Sequence, residues 1–203
     1  MNFLIGLSLI FASIAPQEED SCANNCHSEF GSTIGKSHIT TGYSNCHGNC
    51  LKLETNYVLV KNRQIPTGLK WQCVEYARRW LIENKQTTFA PVKYAYQIWD
   101  LPFGTQVETN TQIPLLKCKN KISKTAPEVG DLLIYSDAFA ITGHVSVIVG
   151  VQANSVTIGE QNYFNAPWDG DHYSRRLLLD KSPEGTYRIF DDSLLGWVRF
   201  ESQ

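Results

Sequence analysis

The chain has 203 residues, with 18 basic and 20 acidic side chains and a formal net charge of −2. That length suits one well-buried domain and is short for two. The balanced charge gives no electrostatic basis for binding nucleic acid or an anionic membrane.

The chain opens on an apolar run, Phe3 to Ala12, too short to cross a bilayer. Small residues follow at Ser13 and Ala15, then the polar Gln17-Glu18-Glu19-Asp20. This is the layout of a cleaved signal peptide. Residues 1–15 are therefore expected to be a leader, and the mature protein to be secreted, lumenal or vacuolar, without membrane attachment after cleavage. Two features are atypical of a leader: no Lys or Arg precedes the run, and Pro16 follows the cleavage point. An uncleaved anchor or a buried helix is the alternative.

Residues 16–29 form a cysteine-containing extension. Cys22 and Cys26 lie in it, and Cys46 and Cys50 repeat the same spacing further on. His27 and His47 each follow a member of one pair. Four thiolates, or thiolates with imidazoles, can hold zinc. However, zinc pairs usually have two intervening residues, and an oxidising compartment favours disulfides. Two disulfides and no metal are expected, and the connectivity stays open. Cys118 reads as an unpaired, partly buried thiol.

Cys73 has a different setting. Gly68 breaks the chain ahead of Trp71-Gln72-Cys73, and Val74, Ala77 and Leu81 then recur at helical spacing beside a stripe of Tyr76 and Trp80. Neither Pro nor Gly interrupts residues 73–83, so a helix starting at Cys73 is expected. Its free amides and dipole favour a thiolate there and can donate to an oxyanion. Gln72 is placed to add a side-chain amide. A buried structural cysteine at a helix start is the competing reading.

Downstream, Asp131 to Tyr135 reads as a buried strand, and His144 opens another in Gly143-His144-Val145-Ser146-Val147-Ile148-Val149. A three-residue loop, Gln152-Ala153-Asn154, with Asn154 left-handed, sets Val151 opposite Ser155. Ser146 then faces Glu160 and His144 faces Asn162, so His144, Glu160 and Asn162 share one face. A two-residue turn would flip one strand and separate them.

Lys70-Trp71-Gln72-Cys73-Val74-Glu75-Tyr76-Ala77-Arg78-Arg79, then Gly143-His144-Val145, Glu160-Gln161-Asn162 and Asp191-Asp192…Leu195-Gly196-Trp197 resemble the CHAP family of cysteine, histidine-dependent amidohydrolases and peptidases. The likeness is to the amidase domains of the glutathionylspermidine and trypanothione synthetases, and it covers residues 30–203 as one domain. It implies an α+β, papain-like fold of the NlpC/P60-CHAP type, with the cysteine helix packed on an antiparallel sheet. It also implies a catalytic cysteine, histidine and acid, which fall on Cys73, His144 and Glu160. Missing from the likeness is the ATP-grasp synthetase half; the paired cysteines after Gly42-Tyr43 are an addition to it.

The expected function is a secreted thiol amidase or endopeptidase, acting as a monomer without metal or organic cofactor. Gln72, Asn162 and Arg78 are expected around the oxyanion and substrate, and the loop Tyr163 to Trp168 is a candidate cleft wall. For an exported enzyme of this family the expected substrate is a peptide amide of bacterial peptidoglycan. A glutathionylspermidine-type amide is the alternative, and a non-catalytic, disulfide-stabilised binding module is the second.

Overall fold

The computed structural model describes residues 22–201, and the expected leader lies outside them. The described elements are one α-helix, one short 3-10 helix (Ala95–Asp100) and thirteen strands. Two short hairpins come first, β1 (Thr33–Ser37) with β2 (Thr40–Tyr43) and β3 (Thr55–Val60) with β4 (Arg63–Leu69). Helix α1 (Cys73–Lys85) follows. The remaining strands are β5 (Thr87–Phe89), β6 (Phe103–Gln106), β7 (Gln112–Lys119), β8 (Leu132–Tyr135), β9 (His144–Gln152), β10 (Ser155–Gly159), β11 (Arg175–Lys181), β12 (Tyr187–Ile189) and β13 (Leu194–Phe200). They form one antiparallel sheet in the order β12-β11-β10-β9-β8-β13-β7-β6-β5. The described residues are thus mostly sheet, with a single α-helix packed on it.

Helix α1 starts where the pattern predicts, because Gln72 is extended and every residue from Cys73 onward is helix-compatible. Gln86 ends it in a left-handed conformation and returns its amide to the Ile82 carbonyl. Tyr76, Ala77, Trp80 and Leu81 bury against Leu132, Ile134, Val145, Val147 and Val198 of the sheet. A second cluster, including Leu133, Tyr135, Ile148, Ile158 and Trp197, holds the alternate strand positions. This two-faced burial explains why β8 is apolar at every position and shows no alternation.

The β9–β10 connection departs from the expected loop. Gln152 pairs with Ser155, so the turn has two residues, Ala153 and Asn154, and Asn154 is not left-handed. The register then shifts between Thr157 and Ile158: Thr157 faces Gly150, but Ile158 faces Ile148. Val149 is the extra residue of a β-bulge. Past it the pairing is the one expected from the three-residue loop, since the bulge inserts in β9 the offset that the shorter turn removes.

The cysteine expectation gains a connectivity: Cys22 bonds Cys50 and Cys26 bonds Cys46. The bonded half-cystines pack with Phe30 as a small cluster of their own. The His27 amide donates to the Cys46 carbonyl at 3.0 Å, which ties the extension to the segment after β2.

Candidate active site

Cys73 lies in the first turn of α1, at the end of the sheet where β9 begins. Gly143 supplies the tight entry to β9. Its φ is +64°, and a Cβ there would meet the Tyr135 carbonyl oxygen at 2.6 Å. His144 follows, buried and flanked by aromatic rings. Phe139 stacks at 5.3 Å between centroids, Tyr135 lies at 5.5 Å and Tyr163 at 5.6 Å.

The His144 ring bridges the thiol and a carboxylate. Nε2 lies 2.8 Å from Glu160 Oε2, and the ring also shares a side-chain hydrogen bond with Cys73. With Nε2 committed to Glu160, Nδ1 is the nitrogen left for sulfur. Burial pushes the Cys73 thiol up, but the charge and hydrogen bond of His144, with the Val145 and Val74 amides, bring it below its ordinary value. Burial pushes His144 down, yet the Cys73 thiolate and Glu160 outweigh it and raise the imidazole to about 9. Burial also pushes Glu160 up, and His144 with Arg175 reverses this and holds the carboxyl at about 2. These directions favour a thiolate–imidazolium pair with an ionised acid behind it.

Glu160 is held on both oxygens. Ser174 Oγ donates to Oε1 at 2.9 Å, Arg175 Nε donates to Oε1 at 2.6 Å and Arg175 Nη2 to Oε2 at 3.2 Å. Arg175 Nη1 reaches Asp191 Oδ2 at 3.0 Å, and the Tyr135 hydroxyl donates to the same oxygen at 2.8 Å. The sequence reading missed Ser174 and Arg175. Arg175 opens β11, directly after Ser174, and β11 sits beside β10 in the sheet, a neighbour relation that no local spacing reveals. Gly159, just before Glu160, allows close approach of α1: a Cβ there would lie 2.5 Å from the Tyr76 hydroxyl.

The other named residues divide. Asn162 is at the site's edge, donating from Nδ2 to Gln72 Oε1 at 2.8 Å. Gln72 is next to Cys73, but its Nε2 donates to Asn45 Oδ1 and the Cys50 carbonyl, both at 3.3 Å. Both amide hydrogens are engaged in these ties, which fix Gln72 against the stapled segment beside Cys73. The first-turn amides of α1 are the other expected oxyanion donors.

Arg78 is not brought to Cys73. It packs against β5, with its guanidinium 5.8 Å from the Phe89 ring centroid. Arg79 is buried as well. Its Nε donates to Glu75 Oε1 at 2.7 Å and Nη2 to Gln161 Oε1 at 2.9 Å, and Gln161 Nε2 donates to Glu75 Oε2 at 2.9 Å. This buried network links α1 to the residue after Glu160. The Tyr43 amide joins it by donating to Gln161 Oε1 at 2.8 Å.

The loop after Glu160 is half wall, half anchor. Tyr163 packs beside His144 and under the Arg175 guanidinium, 4.1 Å from its ring centroid. Phe164 is exposed, while Trp168 sits against Gly35 and Gly42 of the first hairpin. A pocket of about 290 Å³ opens beside Glu160, lined by residues that include Tyr163, Phe164, Trp168 and His27.

The family description "CHAP domain" matches residues 64–162, a span that holds Cys73, His144 and Glu160. The bifunctional glutathionylspermidine synthetase/amidase of Escherichia coli (strain K12) is 38% identical over 138 residues, 64% of this chain and 22% of the relative. The trypanothione synthetase of Crithidia fasciculata is 33% identical over 166 residues, 78% of this chain and 24% of the relative. The glutathionylspermidine synthase of Crithidia fasciculata is 30% identical over 139 residues, 66% and 19% respectively. The chain thus spans a quarter or less of the length of these relatives.

Proposed function

The chain belongs to the CHAP domain family, and from that premise we propose that it is a cysteine amidohydrolase of papain-like fold working through Cys73, His144 and Glu160. The observation that carries the reading is the buried His144–Glu160 contact at 2.8 Å, beside a Cys73 thiol that the same imidazole draws below its ordinary value. Cys73 sulfur attacks an amide carbonyl, and the first-turn amides of α1 receive the developing oxyanion. His144 Nδ1 protonates the departing amine, the C–N bond breaks and a thioester remains. His144 then takes a proton from water, whose oxygen attacks the thioester; the C–S bond breaks, the acid product leaves, and the Cys73 thiolate is regenerated beside the imidazolium. Glu160 fixes the ring and stabilises its cation throughout.

The substrate proposed is a peptide amide of bacterial peptidoglycan, met outside the cytosol. Two disulfide bonds support that location. A glutathionylspermidine-type amide is the second reading, favoured by the names of the relatives. Incubation of wild type and Cys73→Ala with muropeptides and with glutathionylspermidine, followed by mass analysis of products, tests both. Cys73-dependent cleavage of muropeptides is expected. Cleavage of glutathionylspermidine alone would move the substrate to the second reading, and cleavage of neither would leave the binding-module alternative.

A further inference from the structure

Asn45 is fully buried and belongs to neither the thiol, the imidazole nor the acid, yet it joins three segments that converge on Cys73. Its Nδ2 donates to the carbonyls of His47 at 3.2 Å and Cys50 at 2.9 Å, inside the disulfide-stapled segment. The same nitrogen donates to Asn162 Oδ1 at 3.1 Å, in the loop after Glu160. Its Oδ1 accepts from the Trp71 amide and from Gln72 Nε2, each at 3.3 Å. Its own amide donates to Asn165 Oδ1 at 2.8 Å.

An asparagine that only closed its own loop would need the His47 and Cys50 carbonyls. The acceptor side instead holds the two residues immediately before Cys73. Those residues set where the Cys73 amide points, because the Gln72 carbonyl carbon and the Cys73 nitrogen share one rigid peptide plane. Oxyanion donors act only when held close to the place where charge develops, and a shift of a fraction of an ångström weakens them.

We propose that Asn45 is a positioning residue for oxyanion stabilisation, locking the Trp71–Gln72 turn, the stapled segment and the Asn162 loop so that the Cys73 amide faces the attacked carbonyl. The inference rests on the thiol amidohydrolase reading. It also gives the disulfides a function beyond stability, since Asn45 directly precedes Cys46 and bonds Cys50.

The test compares two reactions of one sulfur. With p-nitrophenyl acetate the Cys73 thiolate attacks an ester carbonyl, an oxyanion forms, nitrophenolate leaves and a thioester remains. With iodoacetamide the sulfur displaces iodide and no oxyanion forms. Asn45→Ala is expected to slow acetylation of Cys73 by about tenfold or more while alkylation stays within about threefold of wild type. Gln72→Met, at a half-buried side chain, removes one of the two partners of Asn45 Oδ1 together with the bonds to the Cys50 carbonyl and from Asn162, and is expected to do likewise; if Asn45→Ala does not fold, Gln72→Met decides alone. Parallel loss of both reactions would mean a merely structural role and overturn the proposal, as would unchanged acetylation in Gln72→Met. A wild type that is alkylated but never acetylated at Cys73 would overturn the thiol reading itself, and this inference with it.

Discussion

His144 and Glu160 meet at 2.8 Å because Val149 is an extra residue in the strand between them and the turn. The Ala153–Asn154 turn alone would place Glu160 on the opposite face from His144. The bulge restores the facing. Bulges beside active sites commonly re-aim side chains in this way.

The pH dependence follows from the ion pair. The Cys73 thiol lies below its ordinary 9.0 and His144 is raised to about 9. The imidazolium is needed to protonate the leaving amine, so amidase activity should fall as pH rises through about 9. Glu160→Gln removes a partner of the imidazolium, so this alkaline limb should move to lower pH. Its loss in kcat should be roughly two orders of magnitude smaller than that of Cys73→Ala, because Glu160 orients and does not attack. An alkaline limb that stays in place would contradict the role given to Glu160.

Stability in acid should report the same carboxylate. Glu160 is depressed from 4.5 to about 2, so its contribution is full above pH 4.5 and is lost as pH falls toward 2. Chemical denaturation across that window should show wild type losing stability more steeply than Glu160→Gln. Equal slopes would mean that Glu160 is not held in the folded state as described.

Arg175 anchors Glu160 and Asp191 together. Arg175→Met should leave Glu160 with His144 and Ser174 only, and should cost about 3 kcal/mol in urea unfolding, as expected for breaking a buried ion pair by removing one partner. The alkaline limb should also shift, because the less firmly held carboxylate supports the imidazolium less well. A stability loss below about 1 kcal/mol, typical of surface ion pairs, would show that the anchor is dispensable.

Thiol counting tests the stapled segment. Under denaturing, non-reducing conditions two free thiols are expected, Cys73 and Cys118, with Cys22–Cys50 and Cys26–Cys46 intact. Mild reduction should lower amidase activity before the core melts, because Asn45 and the Cys50 carbonyl brace Gln72 while the main core lies around α1 and the sheet. Full activity after complete reduction of both bonds would contradict that coupling.

What the sequence made legible was local. The start of α1 at Cys73 and the strand opened by His144 are written in short patterns of apolar spacing and helix-compatible residues. The facing of His144 and Glu160 was legible only through a loop length that the structure corrects. A register depends on the sum of turn and bulge, and Gly150, an isolated glycine inside β9 next to Val149, is the mark of the bulge that the sequence carries. Arg78 and Arg79 were illegible for another reason. A basic pair on a helix reads as facing substrate or lying over the helix surface, and it takes the distant partners Thr41 and Gln161, added to Glu75 one turn back, to make Arg79 an interior residue. Asn45 and Arg175 were invisible because their partners lie far away in the chain.

The most direct measurement is brief iodoacetamide labelling of the native protein, with mass mapping of each cysteine and amidase activity read on the same samples. The account predicts that Cys73 is alkylated first, that Cys118 at 1% exposure lags, and that activity disappears in proportion to Cys73 label. Equal labelling of Cys73 and Cys118, or amidase activity that survives complete alkylation of Cys73, would contradict it.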